Sequence, residues 1–246
     1  MGGLAVLGQV PLALPSNSSF TQTFANRGTT SGWDFILKEH LGTVSQVTNV
    51  VYGNSGSAIK MTQTTMPLQH YQGYHRGQQG FYGFAFRLQE AWQFSPAQSY
   101  NLAQFIADFT DTGCDDWMPS SMVWIIGNQL ASRVKTGSVC DQSITEYKNL
   151  ATVSEGKWHK IVIQANWQND GTGWYKMWLD GKKVLEKYNI DTTIDDTREF
   201  QFHLGLYANG WHDDGEMKGT QPFRQVWYDQ IGMGSTFADA DPDQWS

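Results

Sequence analysis

The sequence predicts an all-β fold of two packed antiparallel sheets, a jelly-roll sandwich with one concave face, and three observations carry that expectation. Residues that suit a pleated surface are abundant, with 11 Trp, 10 Tyr and 13 Phe among 246. Charged residues make up only 17%, too few for long solvated helices or a coiled coil. Apolar runs of strand length recur along the chain, broken by the 25 Gly and by Asn and Asp.

In chain order, the predicted strands are Phe81 to Leu88, Leu102 to Phe109, Met122 to Gly127, Trp158 to Trp167, Trp174 to Leu179, Phe200 to Tyr207 and Phe223 to Ile231. Two turns are explicit. Asn169-Asp170-Gly171 and Asp180-Gly181 supply the positive φ values of tight hairpins, so residues 158–188 read as a three-strand meander. Asp111 to Thr145 reads as the longest irregular stretch, interrupted by a single strand. The one helical candidate is short, Asp195 to Glu199, and the Asp-rich tail from Phe237 reads as a solvated end. With no repeat, low-complexity tract or linker, residues 1–246 are expected to form one domain. That is long enough to bury a core without metals or disulfides as essential staples.

The net charge of −7 argues against a nucleic-acid or anionic-membrane partner. No apolar run reaches membrane-spanning length, so no membrane partner is expected. An anionic ligand would have to be met by local cations, of which Arg76, Arg87, Arg133, Lys135, Lys176 and Arg224 lie near predicted strands. The two cysteines, Cys114 and Cys140, occupy similar Gly/Ser/Asp-rich settings. A disulfide between them would stabilise by roughly 3 kcal/mol and fits an oxidising compartment; two unrelated free thiols are the alternative. Residues 1–16 are mildly apolar without a basic start, a signal remnant or a leading arm. Together with the sequon at Asn17 these features predict a secreted, extracellular monomer.

Alternation then sorts side chains by face. In Phe200 to Tyr207 the even positions are apolar, leaving Gln201, His203, Gly205 and Tyr207 on the other face. His203 and Tyr207 would stand about 13 Å apart and line one groove. In Leu102 to Phe109, Gln104 and Asp108 share a face with Leu102 and Ile106, and a buried amide there needs a partner, either a ligand or a neighbouring strand. His70, Tyr74, His75 and Arg76 crowd Leu68 to Gly77, a cluster suited to binding a polysaccharide or carboxylate. Trp124 is among the tryptophans placed to stack on a sugar ring or to fill the core. Paired strand carboxylates, which a retaining glycosidase needs about 5 Å apart, are not evident. Gly-x-Ser-x-Gly, His-Glu-x-x-His and phosphate-loop motifs are missing too.

Trp158 to Trp167, Trp178-Leu-Asp-Gly-Lys-Lys-Val184, Leu204-Gly-Leu-Tyr207 and Val226-Trp-Tyr-Asp-Gln-Ile-Gly232 resemble the C-terminal half of jelly-roll polysaccharide lyases. The nearest resemblance is to the fungal glucuronan lyases (polysaccharide lyase family 20), with jelly-roll alginate and heparin lyases more distant. It covers roughly residues 70–232, and the hairpin and last strand are shared with many concanavalin-like sugar binders. The resemblance implies cleavage of a β-1,4-linked polyuronate by β-elimination. Tyr207 would move the proton, and Gln104 with Arg76 or His75 would neutralise the uronate carboxylate. The family's strand reads Gln-x-His where this chain has Ile106, so His70 or His75 would have to supply the imidazole. Arg76, Arg87, His203, Asp108, Tyr74 and Trp124 are the expected substrate contacts. Asp229 on the last strand is a candidate ligand for a structural Ca²⁺ or a sheet-edge cap, and no catalytic cofactor is expected. A lectin-like binding module is the alternative, and a glycoside hydrolase of the same fold a more distant one.

Overall fold

The structure, a computed structural model, describes residues 18–19, 24–36, 42–62, 68–209 and 215–245. Among the described residues sixteen strands form two sheets. The first seven are β1 (Ser18–Ser19), β2 (Phe24–Asn26), β3 (Phe35–Ile36), β4 (Val44–Val47), β5 (Ala58–Thr62), β6 (Leu68–Tyr74) and β7 (Gln78–Leu88). Then come β8 (Ser99–Asp108), β9 (Trp117–Ile126), β10 (Gln129–Ser138), β11 (Asp141–Thr152) and β12 (Trp158–Asn166). The last four are β13 (Gly173–Leu179), β14 (Lys182–Ile190), β15 (Phe200–Tyr207) and β16 (Gln225–Gly234). One sheet runs β14-β13-β12-β7-β16-β5-β4, with β1 beside β7 and β2 beside β16. The other runs β11-β10-β9-β8-β15-β6-β3. All pairs are antiparallel except β1 with β7.

The two inner faces meet over an aromatic core. Tyr74, Tyr82, Phe84, Phe86, Phe105, Trp167, Phe200, Phe202 and Tyr228 are almost fully buried. A side chain of that kind stabilises by roughly 1.5–3 kcal/mol when taken from water. Polar atoms carried in with the rings are partnered: Trp167 Nε1 donates to Tyr82 Oη at 3.0 Å, and Tyr82 Oη donates to the Gly73 carbonyl at 3.0 Å.

The predicted meander is β12–β14, and Asp180 (φ 51°) and Gly181 (φ 77°) make its second turn. Three expectations are corrected. The stretch from Asp111 to Thr145 is largely strand, because β9, β10 and β11 form a second meander whose polar outer residues disguised it as loop. Residues 195–199 form no helix. The tail is docked instead of solvated: α1 (Phe237–Ala240) is held by a Thr236 capping box, and Phe237 packs edge-on against Phe81 and Trp178. Gly83 makes room for it, since a Cβ there would lie 1.8 Å from the Ala240 carbonyl oxygen. Among the described residues no helix is long and apolar enough to cross a membrane.

Candidate active site

β15 follows its predicted alternation. Phe200, Phe202, Leu204 and Leu206 enter the core, leaving Gln201, His203 and Tyr207 on the outer face of the seven-stranded sheet. Register then assembles the site. His203 lies opposite Gln104 on β8, Gln104 opposite Met122 on β9, and Met122 opposite Arg133 on β10. At about 4.8 Å per strand this row spans about 14 Å. A second row places Tyr207, Asn101, Trp124 and Ala131 on the same four strands. Met122, Trp124 and Ala131 form a small apolar cluster separate from the main core, which gives the face a dry floor.

Asn101 and Gln104 share this face only because β8 is irregular between Asn101 and Ala103. The extra residue sends Leu102 into the core, where alternation from Gln104 had placed it outward. Asn101 Nδ2 donates to Gln104 Oε1 at 3.0 Å. The Gln104 carboxamide is thereby oriented, and its Nε2 donor has no partner among the described residues. Asn101 Oδ1 and His203 Nδ1 are buried and have no partner among the described residues. Two buried acceptors without a described partner thus lie on residues next to the Gln104 amide, one bonded to it and one opposite it.

His203 is only 2% exposed and bonds through Nε2 to Gln201 Oε1 at 3.0 Å. Burial pushes its pKa down to about 3, so it is a neutral imidazole across the physiological range. Positive charge comes instead from β10, where Arg133 and Lys135 are two residues apart and half-buried. Burial, then the neighbouring Arg133, lowers the Lys135 pKa. Lys135 Nζ donates to Gln142 Oε1 at 2.8 Å.

Several expected site residues lie elsewhere. Tyr74 is a core residue, stacked on Trp167 at 3.9 Å with its hydroxyl on Ser120 and Thr193, so it cannot touch a ligand on the outer face. Arg87 belongs to the other sheet, beside Trp158 and Trp227, and pairs with Glu90 at 2.9 Å. His75 and Arg76 follow the end of β6, six and seven residues beyond Gln69, the residue opposite His203. β6 is irregular here and Tyr74 lies opposite Phe200, three residues from His203, so His75 and Arg76 stand about 13–17 Å along the strand from the row at ~3.3 Å per residue. There His75 Nδ1 meets the Thr197 carbonyl at 3.1 Å, and Arg76 pairs with Asp195. Asp108 is exposed and caps a turn, accepting from Thr110 N at 2.9 Å and Thr110 Oγ1 at 2.7 Å, which lowers its pKa. His70 pairs with Phe202 in the ladder, and its side chain lies outside the described residues. Asn101 and Met122 were not evident from the sequence. The available signal was two amides three apart in an apolar strand, a spacing that shares a face only across a bulge.

Two other polar clusters are structural. Ser154 Oγ, His159 and Asp180 form a hydrogen-bonded chain of 3.1 and 2.8 Å, the order found in serine hydrolases. However, the Nε2 lone pair already accepts the Ser154 N–H at 3.0 Å, and Asp180 Oδ1 accepts the Lys160 N–H, so the chain clamps a hairpin end. The expected Cys114–Cys140 disulfide is present, linking the β8–β9 and β10–β11 connections.

Asp229 is fully buried, and burial raises its pKa. Oδ2 accepts from the Tyr52 N–H at 2.8 Å and from the Ser55 hydroxyl, and Oδ1 from the Gln230 N–H at 2.8 Å. No cationic side chain pairs with it among the described residues. The carbonyls of Arg27 and Ser57 belong to the same corner, where Gly28 packs so closely that a Cβ would lie 2.1 Å from the Ser57 oxygen. A buried carboxylate with main-chain oxygens nearby fits a hard cation such as Ca²⁺, although no group of three His, Cys, Asp or Glu occurs among the described residues.

A family model described as polysaccharide lyase matches residues 25–232. Among solved structures, the endo-β-1,4-glucuronan lyase from the fungus Trichoderma reesei is 55% identical, covers 90% of this chain and 98% of its own, and superposes with a TM-score of 0.87. The PL-14 alginate lyase from Aplysia kurodai (8% identity, 87% and 98% coverage, TM-score 0.52) shares the fold alone. So does cellulose-induced protein Cip1 (16% identity, 79% and 86% coverage, TM-score 0.50). No curated protein sequence matches.

Proposed function

Because this chain belongs to the polysaccharide lyase family, we propose that it cleaves a β-1,4-linked polyglucuronate by β-elimination. The observation that carries this reading is the Gln104 amide, oriented by Asn101, opposite His203 and one row from Tyr207, with an Nε2 donor that has no partner among the described residues.

In this mechanism the uronate carboxylate accepts a hydrogen bond from Gln104 Nε2, and Arg133 supplies positive charge along the same row. Charge held at the carboxylate acidifies the C5 proton by stabilising the carbanionic transition state. In a glucuronate unit H5 and the C4 oxygen lie on one face of the ring, so a single group can serve both. Tyr207, acting as the phenolate, takes the proton from C5, the C4=C5 double bond forms, the C4–O bond breaks, and the same proton passes to the leaving oxygen, which returns the phenolate. With Nε2 donating to Gln201, His203 keeps a lone pair on Nδ1 and accepts a sugar hydroxyl. The Arg133–Lys135 pair gives an acidic protein a local basic strip, which is what an acidic polymer requires.

A Ca²⁺ held by Asp229 with main-chain oxygens would tie the N-terminal strands to β16 and take no part in the reaction. Secretion belongs to the same reading, supported by the disulfide. The test is incubation with polyglucuronate, alginate and heparin while following ultraviolet absorbance of the unsaturated uronate. Absorbance should rise on polyglucuronate. Binding without any rise on the three polymers would leave a lectin-like module, and new reducing ends without absorbance a hydrolase.

A further inference from the structure

We propose that the outer face of the β13–β14 hairpin, on the sheet opposite the catalytic face, is a second, non-catalytic binding surface for the acidic polysaccharide; the choice of ligand rests on the function proposed above. β13 alternates strictly: Tyr175, Met177 and Leu179 enter the core, and Trp174, Lys176 and Trp178 stand outward, each half-buried. β14 places Tyr188 opposite Trp174, Glu186 opposite Lys176 and Lys183 opposite Trp178. Lys176 Nζ sits between two rings, 4.8 Å from the centroid of Trp174 and 4.7 Å from that of Tyr188. Lys183 Nζ lies 5.6 Å over Trp178. Tyr188 is 52% exposed, one of the few large exposed rings.

Charge on this face opposes that of the molecule. The chain carries −7, yet this face of the hairpin presents two lysines, Lys176 and Lys183, while Lys182 and Lys187 lie opposite the inward-facing Leu179 and Tyr175. Of the hairpin's two carboxylates, Asp180 is engaged by His159 and the Lys160 N–H, leaving Glu186, which pairs with Lys183 at 2.7 Å and accepts from the Tyr188 hydroxyl at 2.8 Å. Lysines on β14 have a simpler use, since it is the edge strand of its sheet and charge there discourages strand pairing between molecules. That use does not call for an exposed Tyr188 and two half-buried indoles interleaved with the lysines. Rings offer flat apolar surface to the C–H face of a sugar, and ammonium groups held beside them meet its carboxylate. Trp174 and Trp178 are four residues apart, about 13 Å, enough to span more than one sugar of an extended chain. A polymer held here leaves the Gln104–His203–Tyr207 face open, so the surface would raise the local concentration of cleavable chain.

Affinity electrophoresis tests this. Tyr207→Phe protein, which should not cleave, is run through gels containing polyglucuronate or a neutral β-1,4-glucan. The same background carrying Lys176→Gln with Lys183→Gln, or Tyr188→Ala, runs alongside. Retardation by polyglucuronate should fall by about threefold or more in both variants and weaken with salt, with little retardation in the neutral gel. With Tyr207 restored, the same substitutions should leave kcat on short oligoglucuronates unchanged and raise KM on the polymer. Equal retardation of parent and variants would overturn the second surface, as would equal retardation in the two gels. A chain that cleaves polyglucuronate with Tyr207 restored, yet is not retarded as Tyr207→Phe, overturns this proposal alone. One that does neither overturns the substrate assignment with it.

Discussion

The hydroxyl of Tyr228, on β16, crosses the core and meets the carbonyl of Leu102 on β8 at 3.0 Å, sharing its hydrogen with the Gly205 carbonyl at 2.9 Å. Both carbonyls sit where ladders break, between Asn101 and Ala103 and between Leu204 and Tyr207. Each irregularity withdraws a main-chain acceptor from the sheet, and a buried acceptor left alone costs about 1–3 kcal/mol. Tyr228 satisfies the pair, and in doing so fixes the backbone that aims Asn101, Gln104 and Tyr207. Tyr228→Phe should lower unfolding free energy by about 1–3 kcal/mol in denaturant titrations. It should also reduce kcat on polyglucuronate more than it raises KM, because the groups aimed by that backbone act on the transition state.

Gln104 and Asn101 should separate in kinetics. Gln104→Glu keeps the shape but sets a carboxylate against the uronate carboxylate, and kcat should fall about 10²–10³-fold, the range for losing an oriented oxyanion donor. Asn101→Ala leaves Gln104 in place but free to rotate, and a smaller loss of about tenfold is expected. Tyr207→Phe should retain binding while turnover drops by the roughly 10²–10⁴-fold typical of general acid–base groups. Isothermal titration with an oligoglucuronate, beside steady-state rates, distinguishes the three.

His203 makes stability depend on pH in a definite direction. Its folded pKa of about 3 lies below the ordinary value of 6.5, so between these values the unfolded chain binds the proton and the folded chain does not. The penalty is absent above pH 6.5, grows as pH falls, and is complete below about pH 3. Its slope inside that window is up to about 1.4 kcal/mol per pH unit. Chemical denaturation at several pH values should show this slope, and His203→Gln should flatten it. An unchanged slope in the variant would mean other groups carry the acid sensitivity.

The Cys114–Cys140 bond closes a loop with a sequence separation of 26. Loop-closure entropy puts its contribution at about 3–4 kcal/mol. Cys114→Ser with Cys140→Ser should lose most of that in urea titrations. Neither cysteine belongs to the Gln104–His203 row, so turnover well below the melting temperature should persist.

What was legible in the sequence follows from period and turn chemistry. The strict alternation of Phe200 to Tyr207 placed His203 and Tyr207 on the outer face, and Asp180-Gly181 marked its hairpin because both residues need positive φ. Register shifts were not legible, since a bulge leaves no trace in composition. Leu102 was therefore assigned to the wrong face and Asn101 overlooked. The cluster from Tyr74 to Arg76 misled for another reason. Tyr74 is a core ring whose hydroxyl found buried partners, and the cations beside it belong to a strand end about 13–17 Å away. Side-chain type gave the chemistry; only strand pairing could say which side chains meet.

Asp229 decides between two roles by a measurement that leaves catalysis aside. As a capping carboxylate its three hydrogen bonds, from Tyr52, Ser55 and Gln230, are its whole function, and chelators should do nothing. As a Ca²⁺ ligand it gains the countercharge that no side chain supplies among the described residues. A cation that binds the folded chain alone stabilises it by RT ln(1 + [L]/Kd), about 2.7 kcal/mol at a hundredfold excess over Kd. Chelation should then lower the melting temperature by several degrees, and added Ca²⁺ should restore it. Mg²⁺ should not, since it demands a tighter octahedron and sheds water reluctantly. Asp229→Asn should melt early with or without chelator. Initial rates at low temperature should be the same in all of these conditions, because β16 holds Asp229 in the sheet opposite the one that carries Gln104 and Tyr207.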